Sequence, residues 1–323
     1  MNAFAKIGTI ALISAALSQS LYVFIEKGRK KFFNTTMPRF DHLLNEGPSH
    51  DILMIGSSRT YLHNDPRVID SITGMDSYNA GLQGASMFEI NMVLDAYLAT
   101  HTQPKLVVLE ASMLSFNVDK SLMNNPTLYF THLDNKEIRE NLNENWKNTT
   151  MLKYLPFLRL TQYDDLNRSY GFKGFAGEQE IIYGNVYKGY AENDTAIIKD
   201  TVETKNNCDW VKVTAKGKYF LDKMIRTCQE RKIPIVVTYA PEYKQLNYHC
   251  PGGDQVMDSF TNICKETGVP FWNYLHDPIC EEKKAFLNIT HLNRYGAEKF
   301  SATLGNDIKK FFEKRNDTVA SFK

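Results

Sequence analysis

The chain has almost no net charge: 38 Lys and Arg stand against 37 Asp and Glu, leaving +1 at pH 7. A surface so balanced has no global field that would attract nucleic acid or an acidic polymer. No basic reading motif is present either, so no nucleic-acid partner is expected. Cysteine is sparse, and Cys208, Cys228, Cys250, Cys264 and Cys280 all lie in the last 120 residues. None forms a C-x-x-C pair or stands at zinc spacing from a histidine, so no metal site is expected, and nothing calls for a cofactor. They read as buried inert thiols, with a single disulfide, using Cys250 and Cys280, as the alternative in an oxidising compartment. No carboxylate pair can be picked out by spacing for glycoside hydrolysis. Internal repeats and low-complexity tracts are absent.

Charge is also missing locally. From Ile7 to Ile25 the nineteen residues IGTIALISAALSQSLYVFI carry none, and at ~1.5 Å per residue they would span about 28 Å, close to a bilayer's hydrocarbon thickness. Residues 1–32 therefore read as an uncleaved membrane anchor, with a signal peptide cut near Ala16-Leu17-Ser18 or a buried soluble helix as alternatives. The anchor is favoured because Leu21-Tyr22-Val23-Phe24-Ile25 continues the apolar run past that cut. Lys27, Arg29, Lys30 and Lys31 follow the segment, and the positive-inside rule taken literally would keep the following domain in the cytoplasm. The layout of a short leader and then a globular domain points instead to export.

Residues 33–323 read as one α/β domain. After a polar linker, Asp51–Gly56 reads as a buried strand, followed by an irregular helix from about Ser58 to Asp70. Ser77–Gly81 is a second strand, Met87–Thr100 a helix with apolar groups at helical spacing, and Leu106–Glu110 a third strand. This alternation predicts parallel pairing through right-handed crossovers. It stops at about Ser115 and resumes after about Asn207. The stretch between is rich in Asn, Tyr, Asp and Lys and reads as a helical and looped insertion, a lid or substrate platform. Helix 211–232, strand 233–239, helix 254–267, strand 269–274 and helix 294–314 complete the pattern.

Two places carry chemistry. Gly56-Ser57-Ser58-Arg59 follows the first strand, where a serine on a tight strand-to-helix turn stands at the carboxyl edge of the sheet. The N–H groups of the following helix can face a developing oxyanion there. The turn is not the G-x-S-x-G elbow, since Arg59 and Thr60 stand where that pattern needs x-Gly. Asn288-Ile289-Thr290-His291-Leu292-Asn293 precedes the last helix, and its histidine can face the same edge as a general base. Arg59 could hold an anionic donor or orient the loop, or simply cap it. Glu242 or Tyr243, after the fourth strand, could line the pocket, although a turn-forming role is favoured.

Gly-Ser-Ser-Arg after strand one, Asn79-Ala80-Gly81-Leu82-Gln83-Gly84 after strand two and His291-Leu292-Asn293-x-x-Gly-Ala before the final helix resemble the SGNH hydrolase superfamily. The resemblance covers about Asp51–Ser112 and Ile233–Phe312. It is closest to the exported branch with GSSR-type first blocks, that of DltD and the alginate O-acetylation proteins. It implies a flavodoxin-like three-layer parallel sheet, interrupted by the insertion at about 115–207 and preceded by one transmembrane helix. It also implies Ser58 as nucleophile, His291 as base, and the N–H groups of Ser58 and Gly84 as oxyanion donors. Two departures stand out. The family's Gly-x-Asn-Asp after strand three is replaced by Leu109-Glu110-Ala111-Ser112, so Ser112 or another group substitutes or the oxyanion hole has one donor fewer. The family's Asp in Asp-x-x-His is replaced by Asn288, unless Asp277 or another acid substitutes.

The expected activity is a membrane-anchored, extracytoplasmic serine acyl-esterase or O-acyltransferase. Its substrates would be an acyl donor and a cell-surface glycan acceptor, with a polytopic membrane acyltransferase as a possible source of acyl groups. The rival expectation is a degenerate SGNH fold that binds a glycan or such a membrane partner without catalysis.

Overall fold

The computed structural model describes residues 3–117, 123, 125–144, 146, 148–181, 184–198, 211–244 and 252–321. Helices α1 (Ala3–Phe32) and α2 (Thr36–Leu44) precede strand β1 (Ile52–Gly56). Then come α3 (Ser58–His63), α4 (Pro66–Thr73), β2 (Ser77–Gly81), α5 (Met87–Thr100), β3 (Leu106–Glu110) and α6 (Met113–Phe116). Helices α7 (Lys136–Asn143), α8 (Thr149–Tyr154) and α9 (Asp165–Phe175) lead to a small hairpin, β4 (Val186–Tyr187) and β5 (Tyr190–Ala191). The chain closes with α10 (Ala215–Glu230), β6 (Ile235–Tyr239), α11 (Gly253–Thr267), β7 (Phe271–Asn273) and α12 (Arg294–Ser321). By packing, these elements form two compact units.

The sheet unit comprises Pro48–Leu94, His101–Asn124 and Ile182–Lys323. Its five-stranded sheet has the order β2-β1-β3-β6-β7, and every pair is parallel. Counted within the sheet this is 2-1-3-4-5, the flavodoxin-like doubly wound order, which places the crevice outside the carboxyl ends of β1 and β3. Strands β1 (ILMIG), β3 (LVVLE) and β6 (IVVTY) are buried along their whole length. Near-continuous apolar runs of this kind suit strands covered on both faces, as parallel pairing requires. One core layer joins Ile52, Met54, Val108 and Val236 of the strands to Phe300, Leu304 and Ile308 of α12. The α/β parallel-sheet expectation is thus met.

Local differences have local causes. The irregular helix expected after Ser58 is two helices, because Pro66 opens α4 and Asp65 caps it by accepting from Arg67 N at 2.9 Å. The linker expected after residue 32 contains α2, which buries Met37, Phe40, Leu43 and Leu44. Its apolar residues recur at helical spacing, but the run is too short to rise above the polar residues around it. Cys228, Cys264 and Cys280 are buried free thiols. Burial pushes the Cys264 thiol up to about 12 and that of Cys280 up to about 11, which keeps both unreactive. Cys208 and Cys250 lie outside the described residues.

The helical unit comprises Met1–Gly47, Asp95–Thr100 and Asn125–Ile181, so most of the insertion is grouped with the N-terminal helix. Among the described residues, α1 is the one helix long and apolar enough to cross a membrane. Its first two-thirds are exposed, whereas Tyr22, Ile25, Glu26, Gly28, Arg29 and Phe32 are buried. Gly28 meets α9 at Gly171 and Gly174, so closely that a Cβ on Gly28 would lie 1.8 Å from the Gly171 carbonyl oxygen. Fully buried Arg29 pairs with Glu26 at 3.0 Å and donates to Asn167 Oδ1 at 2.9 Å and Thr127 Oγ1 at 3.1 Å.

In the sheet unit, a Cβ on Gly81 would lie 2.2 Å from Tyr61 N. Because that neighbour is backbone, Gly81→Ala is expected to cost about 1–3 kcal/mol by overpacking. Thermal melting checks this, and an unchanged midpoint would contradict the close approach of β2 to α3.

Candidate active site

Four segments of the sheet unit build the site: the β1–α3 turn, the end of β3, the end of β6 and the loop before α12. Gly56 is required at the turn because a Cβ there would meet Thr60 Oγ1 at 2.3 Å and Glu110 Cβ at 2.7 Å. Ser57 caps α3, which makes Ser58 its first residue. Its N–H therefore belongs to the first turn, whose donors have no intrahelical acceptor.

The turn is clamped from below. Glu110 Oε2 accepts from Ser57 N at 3.2 Å and Ser57 Oγ at 2.8 Å, while Glu110 Oε1 accepts from Arg59 Nε at 3.0 Å. Arg59 Nη2 lies 2.9 Å from the same oxygen as an ion pair, and Nη1 is paired with Glu242. The guanidinium also lies 4.3 Å from the centroid of the Tyr239 ring, and the Tyr239 hydroxyl is 2.7 Å from Glu242 Oε1. Arg59, Glu110 and Glu242 are all buried. Burial works against the charge of Arg59, but Tyr239, Glu110 and Glu242 outweigh it and raise its pKa. For Glu242 burial prevails, and its carboxyl sits above the usual range despite Arg59. Arg59, which the sequence offers as an anion holder, is thus turned inward as the centre of a buried ion cluster.

A second set of bonds fixes α3 against its neighbours. Asn79 Nδ2 donates to the carbonyls of Thr60 (2.6 Å) and Asn64 (2.8 Å), and its Oδ1 accepts from Gly81 N at 2.9 Å. Leu82 N donates to Gly56 O at 2.9 Å, which lays the turn carrying Gly84 (φ 69°) beside the serine turn. Ser112 is buried, and its hydroxyl is committed to the α6 cap, donating to Ser115 Oγ at 2.7 Å and accepting from Ser115 N at 3.1 Å.

The structure brings Ser58 and His291 together, with Oγ and Nε2 2.9 Å apart and both residues half-buried. The loop that delivers the histidine is tight, since Leu287 N donates to His291 O at 2.9 Å. Asn293 caps the following helix by accepting from Gly296 N at 3.0 Å. Asn288 Oδ1 accepts from Thr290 N at 3.0 Å and from His291 N at 2.9 Å. Two backbone donors identify this atom as the amide oxygen. His291 Nδ1 lies 3.1 Å from the same oxygen and 3.1 Å from Thr290 Oγ1. An amide oxygen can only accept, so the Asn288 contact assigns the ring proton to Nδ1 and leaves the Nε2 lone pair to Ser58. Asp277, considered as a substitute acid, spends Oδ1 as the cap of the turn Pro278–Glu281, where it accepts from Ile279 N at 2.9 Å. Burial, reinforced by Arg59, lowers the pKa of His291 to about 4.

Sequence reasoning missed two positioning residues, Glu110 and His63. The signal for Glu110 was a carboxylate ending an otherwise apolar strand, two residues from Ser112. His63 is buried, and its Nε2 accepts from Leu292 N at 3.0 Å, so it holds the residue next to His291. Burial, then the neighbouring His291 and Arg59, push its pKa well below the ordinary value. It therefore remains a neutral acceptor. Tyr243, paired with Glu242 as a pocket candidate, donates its N–H to Ile289 O at 2.9 Å and so ties the end of β6 to the histidine loop.

No protein-family model matches the chain, and no curated protein matches it significantly. Among solved structures it is similar to an acetyl xylan esterase (11% identity, TM-score 0.40, covering 80% of this chain and 98% of that one). It is also similar to a GDSL-like lipase from Bacteroides thetaiotaomicron (13%, 0.36, 82% and 88%). A third is a carbohydrate acetylesterase family member from Sinorhizobium meliloti (12%, 0.35, 80% and 97%). These likenesses are distant, and the doubly wound fold is established by the strand order itself.

Removing a partner from a buried ion cluster strands the charge that remains, at a typical cost of about 3–5 kcal/mol. Glu110→Ala is expected to lose stability of that order in chemical denaturation. A loss below about 1 kcal/mol, the scale of exposed pairs, would show that the cluster is solvated.

Proposed function

We propose that the chain is a serine acyl-ester enzyme, held to a membrane by α1, that forms an acyl-serine at Ser58 and passes the acyl group to water or to a hydroxyl of a cell-surface glycan. The observation that carries the reading is the Ser58 Oγ–His291 Nε2 separation of 2.9 Å, with the Asn288 amide oxygen 3.1 Å from Nδ1. His291 Nε2 takes the hydroxyl proton as Oγ attacks the acyl carbonyl carbon. The carbonyl oxygen becomes an oxyanion facing the N–H of Ser58 and that of Gly84. Collapse expels the alcohol or thiol of the donor, which receives the proton from His291, and leaves the acyl-serine. Water or a sugar hydroxyl then gives its proton to His291 as it attacks, and Ser58 recovers its own when the new product leaves. A glycan acceptor and a polytopic acyltransferase that supplies acyl groups follow from the resemblance to the exported GSSR branch and from the apolar α1.

Asn288 decides how strong the base is. In the serine-protease triad an Asp-to-Asn change costs about 10⁴ in turnover, chiefly by imposing the wrong tautomer. Here the backbone donors of Thr290 and His291 turn the amide oxygen toward the ring, so the correct tautomer is kept and only the carboxylate's charge is missing. That missing charge favours the second reading, a non-catalytic SGNH fold that binds a glycan or a membrane acyltransferase. Loss of aryl-ester hydrolysis in Ser58→Ala supports the enzyme, and equal rates in Ser58→Ala and the parent chain support the binding protein.

The pH dependence follows from the same geometry. His291 acts as a base only when neutral, and burial with Arg59 keeps it so down to about 4. The acid limb of kcat/KM, which reports the free enzyme, is expected near pH 4 rather than near 6.5. Asn288→Asp places an anion beside Nδ1, and the limb should move toward neutral pH. Stability is lost over a higher pH window than activity. The unfolded chain takes up this proton near 6.5 and the folded chain not until about 4, so stability falls as pH drops through that window. Rates measured on briefly exposed enzyme separate the two. A limb at about 6.5 in the parent chain, unmoved by Asn288→Asp, would contradict the assignment.

A further inference from the structure

The helical unit exposes an aromatic cluster where α1 leaves its uncharged run. Phe4, Ile7, Ile10, Leu12 and Leu17 of α1 are open to the surroundings, and burial against the unit begins at Tyr22. At that level the Phe24 ring stacks on Phe175 of α9, with centroids 4.5 Å apart and planes 16° apart, and tilts against Phe172 at 5.8 Å. All three stay exposed, at 41%, 41% and 56%. Single exposed phenylalanines are ordinary on a protein surface, but a contiguous aromatic cluster that joins an apolar helix surface marks an interaction site.

Three further observations identify what covers them. Phe24 is the next-to-last residue of the nineteen-residue uncharged run, the depth at which a spanning helix places its interfacial aromatics. Exposed Lys27, Lys30 and Lys31 follow within two turns, and Lys31 Nζ lies 4.6 Å from the Phe175 ring centroid, a placement suited to anionic headgroups. Helix α9 is also fixed at this height. Gly28 meets Gly171 and Gly174 in backbone contact, and buried Arg29 joins Glu26, Asn167 and Thr127. The cluster is therefore carried by two helices packed backbone to backbone.

We propose that α9 is a second membrane-seated element, with Phe24, Phe172 and Phe175 entering the headgroup–acyl boundary of an anionic bilayer beside the α1 span. The insertion thereby acts as a collar that holds the emerging helix at the membrane surface. This rests on the anchor reading of α1 and adds to it a depth and a second point of attachment. Glu26 and Arg29, just past the cluster, are buried and paired with each other at 3.0 Å, so the protein itself neutralises these two charges.

Single tryptophans introduced into the full chain test the collar in vesicles of phosphatidylcholine and phosphatidylglycerol with brominated acyl chains. The native Trp146, Trp210 and Trp272 give a background common to all variants. Leu12→Trp reports the span, Phe172→Trp and Phe175→Trp report the collar, and Lys136→Trp, at an exposed position of α7, serves as the control. The collar is supported by loss of the added emission at positions 12, 172 and 175 with none at 136. Quenching at 12 alone, in chains whose melting is unchanged, overturns the collar and leaves the anchor standing. A chain that stays out of the vesicle fraction and is quenched nowhere overturns both.

Discussion

Everything around the serine turn depends on one buried guanidinium. Arg59 starts from the turn after β1, reaches Glu110 at the end of β3 and Glu242 after β6, and lies on the ring of Tyr239. Three strand ends are thereby tied at the carboxyl edge of the sheet. Burying such charges gains little stability over an apolar cluster of equal volume, but leaving any one of them unpaired is expensive. The cluster thus acts as a constraint on arrangement: only one placement of the three strand ends satisfies every member. Ser57 is part of that placement through both of its bonds to Glu110, and Ser58 is directed by the residues on either side of it.

The same chain segment bears on one difference from the SGNH pattern that the sequence resembles. Where that pattern has Gly-x-Asn-Asp, this chain has Leu109-Glu110-Ala111-Ser112. Glu110 is the turn's clamp instead, and Ser112 is bound within the α6 cap. On the histidine side, Asn288 likewise gives up the charge of an acid while keeping its orienting role.

The sheet was legible because its strands are buried on both faces and read as unbroken apolar runs, ILMIG, LVVLE and IVVTY, separated by helices of ordinary length. Ser58 and His291 were legible because strand context placed both at one edge, although 233 residues separate them. The partners of Arg59 were not. An arginine beside a serine reads equally as a surface group, and only the fold reveals that Glu110 and Glu242 converge on it. Helix α2 was hidden by its brevity. The grouping of residues 125–181 with α1 was hidden because it depends on contacts such as Arg29–Asn167, made between residues 138 positions apart with no periodic signature.

Acyl transfer at this site requires Ser58 to be an activated nucleophile although Asn288, not a carboxylate, stands at His291 Nδ1. The most direct test is fluorophosphonate labelling of the full chain in detergent, with the modified residue located by peptide mass spectrometry. Covalent labelling at Ser58, lost in Ser58→Ala and in His291→Ala while both variants keep the parent's melting behaviour, is the expected result. A folded chain that takes up no label at Ser58 at any pH between neutrality and the acid limb would contradict the central claim.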